Sequence, residues 1–178
     1  MGSEIEYLEK PALQAGFLVR KCSCSGVGYL CFVSLPTSNG MDIIQEIRKL
    51  DFPVGKYVVV GSGPLVVRGL KEARDIDIVV TEDLFERCVS DGWDILPWTY
   101  PEKIGQSYLR RGIVELYLDV NCGDMNPTIV ELIGRAELID GVPFIAVSDM
   151  IRFKRAYLRN NPKHEQDISV AERYLEER

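Results

Sequence analysis

The chain has little histidine, little basic charge and no long run of apolar residues. One of its 178 residues is histidine, and 27 acidic side chains against 21 basic ones give a net charge of −6. Non-specific nucleic-acid binding depends on a basic surface, so this balance argues against it but leaves open a specific RNA met by a local basic patch. No apolar stretch approaches the roughly 20 residues that span a bilayer, and we expect no membrane association.

The chain also lacks the basic N-terminal segment of a secretory signal, and its number of cysteines, five, is odd. Residues 1–10 carry more acidic than basic side chains, so we expect a cytoplasmic protein. Cys22, Cys24 and Cys31 lie close together, but the one histidine, His164, is remote from them. Because a closed zinc site needs four ligands, we interpret the cysteines as reduced, packed thiols.

The length suits one globular domain with an extension. Residues 1–40 stand apart and predict either a hairpin, with strands at 16–20 and 29–35, or an extension of unknown role. From residue 41 onward the periodicity sharpens. Helices are predicted at 42–51, 63–70, 127–135, 148–159 and 163–177, with another from a cap at Thr81 to residue 90. Strands are predicted at 56–60, 75–80, 94–98, 106–111 and 112–120, with a hairpin around 140–141.

The most informative segment is 56–80. An apolar run ends in Gly61-Ser62-Gly63, and a short helical stretch follows it. A Gly-Ser-Gly turn between a strand and a helix offers backbone N–H groups and a hydroxyl to a phosphate. The same residues would also suit a tight strand-to-helix turn with no ligand.

Asp75 and Asp77 open the next apolar run. Side chains at i and i+2 of a strand share a face, so these two carboxylates project together and repel each other. A divalent cation between them relieves that repulsion, and Mg²⁺ prefers carboxylate oxygen. A phosphate-binding turn with a metal-binding pair indicates nucleotide chemistry; the alternative is two solvated aspartates at a strand edge.

The apolar-Gly-Ser turn followed by Asp-x-Asp in a strand resembles the nucleotidyltransferase fold of the DNA polymerase β superfamily. The resemblance covers roughly residues 41–178, and it is strongest to the small bacterial branch of toxin–antitoxin and abortive-infection systems. It implies an α/β (α+β) fold with a mixed β-sheet flanked by helices and a C-terminal helix pair. It also implies a third carboxylate on a later strand, a pair of Mg²⁺ (or Mn²⁺) ions, and an NTP attacked at its α-phosphate.

The resemblance assigns Asp75, Asp77 and Asp119 as metal ligands and catalytic carboxylates. Asp119 has an apolar-Asp-apolar setting in the strand predicted at 112–120. Glu115 shares its face and is the alternative, with Asp124 a weaker third choice. We expect this strand to run antiparallel to the Asp75 strand, which would bring Asp119 to the metal site. A solvent-facing charge on a half-exposed strand is the other interpretation of Asp119.

The resemblance further implies triphosphate contacts from Gly61, Ser62 and Gly63. Many relatives carry an Arg four residues before the first Asp and a Ser or Thr two residues before it. This chain has Lys71 and Ala73 at those positions. A lysine keeps the charge but not the bidentate geometry of arginine, so Lys71 is a candidate phosphate ligand with a changed role.

The C-terminal segment carries two more candidates. Lys154 lies within an apolar helical stripe, where a lysine either extends to solvent or reaches a buried anion. The segment 159–168 resembles the end of many small nucleotidyltransferases. That resemblance implies triphosphate contacts from Lys154 and Lys163 and a capping or pairing role for Asp167. His164 is interpreted as a solvated first-turn residue.

The leading hypothesis is therefore a Mg²⁺-dependent nucleotidyltransferase that moves NMP from an NTP to a hydroxyl of a protein, an RNA or a small molecule. The alternative is a non-catalytic nucleotide-binding or antitoxin-like module that binds a partner with the same fold. The carboxylates favour the enzyme, whereas Ala73 and the uncertain third carboxylate keep the alternative open.

Overall fold

The computed structural model of the chain describes residues 17–24, 27–34, 42–159 and 161–178. The chain divides into two compact units, Met1–Gly40 and Met41–Arg178. In the first unit, β1 (Phe17–Cys24) and β2 (Val27–Ser34) pair as an antiparallel hairpin. The side chains of the clustered cysteines lie outside the described part, so the thiol interpretation stays a prediction there.

The second unit is built on a seven-stranded mixed sheet in the order β5-β6-β7-β4-β3-β9-β8. Its strands are β3 (Tyr57–Val59), β4 (Ile76–Val80), β5 (Asp94–Pro97), β6 (Ser107–Arg111), β7 (Val114–Tyr117), β8 (Glu137–Ile139) and β9 (Val142–Phe144). The pairs β4–β7 and β3–β9 are parallel, and the other neighbouring pairs are antiparallel. The mixed sheet confirms the predicted α+β class.

Six helices accompany the sheet in this unit. They are α1 (Ile43–Arg48), α2 (Gly63–Val66), α3 (Glu82–Ser90), α4 (Ile129–Gly134), α5 (Val147–Ala156) and α6 (His164–Glu176), with a 3₁₀ turn at Pro101–Lys103. The helices α5 and α6 pack against each other, which confirms the predicted C-terminal pair. Within the described ranges, no helix is both long enough and apolar enough to cross a lipid bilayer.

Both faces of the sheet are covered, which explains why its central strands are nearly continuous apolar runs. On one face, Ile76 and Ile78 pack in a core with residues of α1 and α3. On the other face, Val58 and Val79 pack against residues of α4, α5 and α6. Asp77 is half-buried, and the other four residues of β4 are fully buried. Asp77 is thus a carboxylate in the middle of an otherwise apolar strand.

Several predicted elements are shorter in the structure, two of them at the site. The predicted helix 63–70 ends at Val66, and the predicted strand 112–120 ends at Tyr117. Thr81 occupies the N-cap position of α3 as predicted, but its side chain makes no capping hydrogen bond. Thr128 caps α4 with a complete capping box that includes Glu131.

Candidate functional site

A cleft of about 500 Å³ lies between the sheet face that carries Asp77 and the C-terminal helices. It gathers most of the residues predicted from the sequence: Gly61, Ser62, Lys71, Asp75, Asp77, Glu115, Asp119, Lys154 and Lys163. Gly63 and Asp124 do not line it; Asp124 lies in a separate, smaller depression beside Arg152. The topology explains the gathering, because β3 ends where the antiparallel strand β4 begins.

Gly61 lies directly against Asp77. Its φ is +59°, and a Cβ at this position would come within 1.8 Å of the Asp77 Oδ2. No other residue type fits here without displacing the carboxylate. Within the described part of the chain, the backbone N–H groups of Gly61 and Ser62 donate no hydrogen bond. Two backbone donors are therefore available next to the carboxylates.

Gly63 has a different environment from the one predicted. Its N–H donates to the Val60 carbonyl at 3.1 Å, so it is already used within the turn. A Cβ here would come within 2.5 Å of the Val59 Cγ1. Close packing accounts for the glycine, and its predicted phosphate contact stays a prediction.

The carboxylates of β4 and β7 are brought together by a parallel register. Asp77 pairs with Glu115 and Val79 with Tyr117. The expected antiparallel direction is therefore wrong, and it is Glu115 that lies beside Asp77. We call Asp75, Asp77 and Glu115 the carboxylate cluster. The first two form no ion pair with any described residue, and Glu115 has only the exposed Arg110, at 3.9 Å.

A single hydroxyl connects two members of the carboxylate cluster. The Tyr117 hydroxyl lies 3.1 Å from the Asp77 Oδ1 and also hydrogen-bonds Glu115. One proton cannot serve both acceptors at once, so the repulsion is only partly relieved. Burial, and then the Asp75 charge, raise the pKa of Asp77 to about 6. Burial and the Asp77 charge raise the pKa of Tyr117, which keeps its hydroxyl protonated.

Asp119 lies beyond the end of β7 and has a different partner. It forms an ion pair with Lys103, whose side chain is 3% exposed, and accepts a hydrogen bond of 2.8 Å from the Asn121 N–H. A buried ammonium group therefore already neutralises this carboxylate. Asp119 lines the cleft, but its charge is compensated and that of Asp77 is not.

The donor set of the carboxylate cluster suits a hard divalent cation, because carboxylate oxygens are the ligands that Mg²⁺ prefers. The uncompensated charge around Asp77 also favours cation binding. In the described part of the chain, however, no three His, Cys, Asp or Glu side chains converge closely enough to form a metal-binding group. Asp77 and Glu115 are joined by the Tyr117 hydroxyl.

On the helical side of the cleft, two lysines share one aspartate. The Lys71 Nζ lies 2.6 and 2.8 Å from the two carboxylate oxygens of Asp167, and the Lys154 Nζ lies 2.8 Å from Oδ2. We call these three residues the lysine cluster. Burial alone would raise the pKa of Asp167, but hydrogen bonds from Lys154 and Lys71 lower it. Asp167 thus pairs, and does not cap α6, whose N-cap is Lys163.

The two remaining basic candidates differ in environment. Lys163 lines the cleft and is exposed, so its ammonium group is free to meet an anion. His164 is partly buried beside the lysine cluster. Burial and the Lys154 charge lower its pKa to about 4, so the imidazole is neutral at pH 7 and adds no charge.

A chain of aromatic rings completes the cleft, and the sequence analysis missed it. Successive ring centroids are 5.6 Å apart for Tyr108–Tyr117, 5.1 Å for Tyr117–Trp98, 5.5 Å for Trp98–Tyr100 and 6.1 Å for Tyr100–Tyr157. These separations are typical of packed aromatic pairs. We call this set the aromatic wall. A sequence signal was available in the aromatic pair flanking Thr99, but three separate segments supply the other rings.

Comparison of the chain with protein-family models, with curated proteins and with solved structures finds no match.

Proposed function

We propose that the chain is a divalent-metal-dependent nucleotidyltransferase that transfers NMP from an NTP to an acceptor hydroxyl. One observation carries the proposal. A turn with two unused backbone N–H groups, at Gly61 and Ser62, lies against the uncompensated carboxylate of Asp77 in one cleft. Phosphate needs the donors, and a cation that neutralises phosphate needs the carboxylate.

In this proposal the carboxylate cluster holds Mg²⁺ or Mn²⁺. We assign Glu115, and not Asp119, as the third carboxylate, because Glu115 pairs with Asp77 across parallel strands while Asp119 is bound to Lys103. A bound cation would supply charge neutralisation at the phosphates. The Tyr117 hydroxyl holds two carboxylates of the cluster near each other before any ligand arrives.

The phosphate chain would lie against Gly61 and Ser62, with Lys154 and the exposed Lys163 on the opposite side of the cleft. The acceptor oxygen forms a bond to the α-phosphorus, and the bond to the bridging oxygen breaks so that pyrophosphate leaves. The hydroxyl proton passes to a carboxylate of the cluster. Most of the rate enhancement comes from positioning and charge compensation.

One observation favours the alternative of a non-catalytic nucleotide-binding or antitoxin-like module. Asp167 pairs with both Lys71 and Lys154 and neutralises one of their two charges, so less positive charge is free for a triphosphate than the sequence predicts. In the proposal, Lys71 remains a candidate phosphate ligand as a member of the lysine cluster. Cytoplasmic location and a partner of the toxin–antitoxin type stay predictions.

The test is transfer of label from an α-³²P NTP to candidate acceptors in the presence of Mg²⁺ or Mn²⁺. We expect wild-type protein to transfer label and Asp77→Asn to lose transfer by at least about 100-fold, the scale of removing an essential catalytic group. Asp124→Asn is the matched control, because Asp124 lies outside the cleft. Nucleotide binding without transfer to a protein, RNA or small-molecule acceptor would favour the alternative.

A further inference from the structure

The cleft has a fixed order along the sheet. The Gly61-Ser62 turn follows β3, the carboxylate cluster lies at β4 and β7, and the aromatic wall begins on β7 and continues through β6 to the residues after β5. Since β3, β4, β7, β6 and β5 are consecutive neighbours in the sheet, the three features form a line. The carboxylate cluster is therefore between the turn and the aromatic wall.

The aromatic wall is in direct contact with the carboxylate cluster. Tyr117 belongs to the wall and hydrogen-bonds Asp77 and Glu115. The second ring, Tyr108, has its centroid 5.6 Å from that of Tyr117, and burial and then the Glu115 charge raise the pKa of its hydroxyl. A ligand stacked on these rings would have its polar groups next to the carboxylates.

The aromatic wall is also held in place. Lys103 lies 5.9 Å from the Trp98 ring centroid and is fixed by its ion pair with Asp119, and the backbone N–H of Trp98 donates to the Gln106 carbonyl at 3.0 Å. Within the described residues, the hydroxyl groups of Tyr100 and Tyr108 form no hydrogen bond. The wall thus offers ring faces with available polar groups at their edges.

We propose, on the basis of the function proposed above, that the aromatic wall is the acceptor subsite and that the acceptor is a ribonucleoside, free or at the end of an RNA. In an in-line displacement the acceptor oxygen approaches opposite the leaving group. Pyrophosphate leaves from the turn, so the acceptor enters from the wall. A flat base stacks on the rings and its ribose hydroxyl reaches the carboxylate cluster.

The charges of the described residues favour a nucleoside over a polyanion at this end of the cleft. Lys103 and Arg110, two cations near the wall, are paired with Asp119 and Glu115, whereas the exposed Lys163 belongs to the end that would take the triphosphate. A serine or threonine acceptor carries no ring for the wall to hold. A nucleobase has both a π-face and hydrogen-bonding edges, which match the ring faces and the free hydroxyl groups.

Tryptophan fluorescence tests the subsite without requiring turnover. The chain has two tryptophans, and Trp93 is buried away from the cleft. In a Trp93→Phe background, Trp98 alone reports stacking. We expect adenosine and the ribodinucleotide ApA to quench this signal, and Tyr108→Leu to weaken that binding by about 10-fold or more while Tyr108→Phe, which keeps the ring and loses one hydroxyl, weakens it less. ApA binding alone would assign the subsite to RNA ends, and binding of both would assign it to free nucleosides as well.

Two outcomes overturn the inference. One is the absence of quenching by adenosine and ApA, or tighter binding of N-acetyltyrosinamide than of either. The other is quenching only by NTP with Mg²⁺ that disappears in Asp77→Asn, which would place the base of the NTP on the wall. Quenching by adenosine that persists in Asp77→Asn, in a protein that transfers no label, would contradict the proposed function and leave the subsite standing.

Discussion

The two sides of the cleft differ in how their charged side chains are paired. On the helical side, the two ammonium groups of the lysine cluster share one carboxylate and keep a net charge of +1, and both Lys154 and Asp167 are buried. On the sheet side, Asp75 and Asp77 have no basic partner among the described residues. The first side is stabilised by its own ion pairs, whereas the second retains a repulsion that a ligand would relieve.

This difference shows where to look for a ligand. A buried ion pair that is complete needs nothing further, and removing one partner strongly destabilises a fold. The Asp77 carboxylate has no counter-ion in the ranges that the structure describes, and it leaves no room for a side chain at position 61. An uncompensated carboxylate of this kind costs stability in the free protein. Such a cost is typical of a site that is completed by a bound cation.

The largest effect is expected from breaking the ion pairs on the helical side of the cleft. Asp167→Asn removes the shared charge and leaves Lys154 buried without a counter-ion. The free energy of unfolding should therefore fall by about 3 kcal/mol. Glu172→Gln is the control, because it breaks only the exposed pair with Arg155 and should cost less than about 1 kcal/mol. Urea denaturation measures both. A loss in Asp167→Asn as small as in the control would mean that the lysine cluster contributes no net stability.

The next effect concerns the contact between the turn and Asp77. Gly61→Ala and Gly69→Ala both place a side chain at positive φ, +59° and +69°, but only the Gly61 variant meets another atom. We therefore expect Gly61→Ala to destabilise the protein by about 2 kcal/mol more than Gly69→Ala, the range for overpacking. Asp77→Ala should restore part of the loss in a double variant. Equal losses for the two glycines would show that Asp77 moves aside freely.

A smaller effect of opposite sign is expected on the sheet side. Because the folded-state pKa of Asp77, about 6, lies above its ordinary value of 3.8, folding disfavours the ionised form at pH 7. Metal-free Asp77→Asn should thus be more stable than wild type by about 1 kcal/mol at pH 7, allowing for partial exposure. This gain should shrink as the pH falls from 6 toward 4 and the wild-type carboxyl is protonated.

Asp119→Asn provides the comparison for this measurement. It removes the partner of the buried Lys103 and should destabilise the protein at the same pH. Equal signs for the Asp77 and Asp119 variants in thermal denaturation at pH 7 would contradict the distinction between a compensated and an uncompensated carboxylate.

The sequence predicted the fold better than it predicted the partners in the site. Hydrophobic periodicity is local, so it located strands such as β4 and helices such as α5 to within a few residues. The direction of β7 relative to β4 depends on how the intervening chain crosses the sheet, and no local pattern encodes it. The antiparallel expectation failed for this reason, and the choice of Asp119 over Glu115 rested on it together with the apolar-Asp-apolar setting of Asp119.

The ion-pair partners in the site could not be predicted from the sequence either, because they are far apart in the chain. Lys71 and Asp167 are separated by 96 positions, and no spacing rule connects them. Lys103 reaches Asp119 from a 3₁₀ turn between the strands predicted at 94–98 and 106–111. The aromatic wall likewise combines rings from β6, β7, the loop after β5 and the end of α5. The sequence does identify residues whose positions need a chemical explanation, and Asp77 is the first of them.

The central claim is that the carboxylate cluster, with Glu115 as its third member, binds a metal–nucleotide complex. It is tested most directly by the change in melting temperature on adding Mg²⁺ with NTP to the wild type, Asp77→Asn, Glu115→Gln and Asp119→Asn. We predict a rise for the wild type and for Asp119→Asn, no rise for Asp77→Asn and a reduced rise for Glu115→Gln. A full rise in Asp77→Asn, or a rise lost only in Asp119→Asn, would contradict the account.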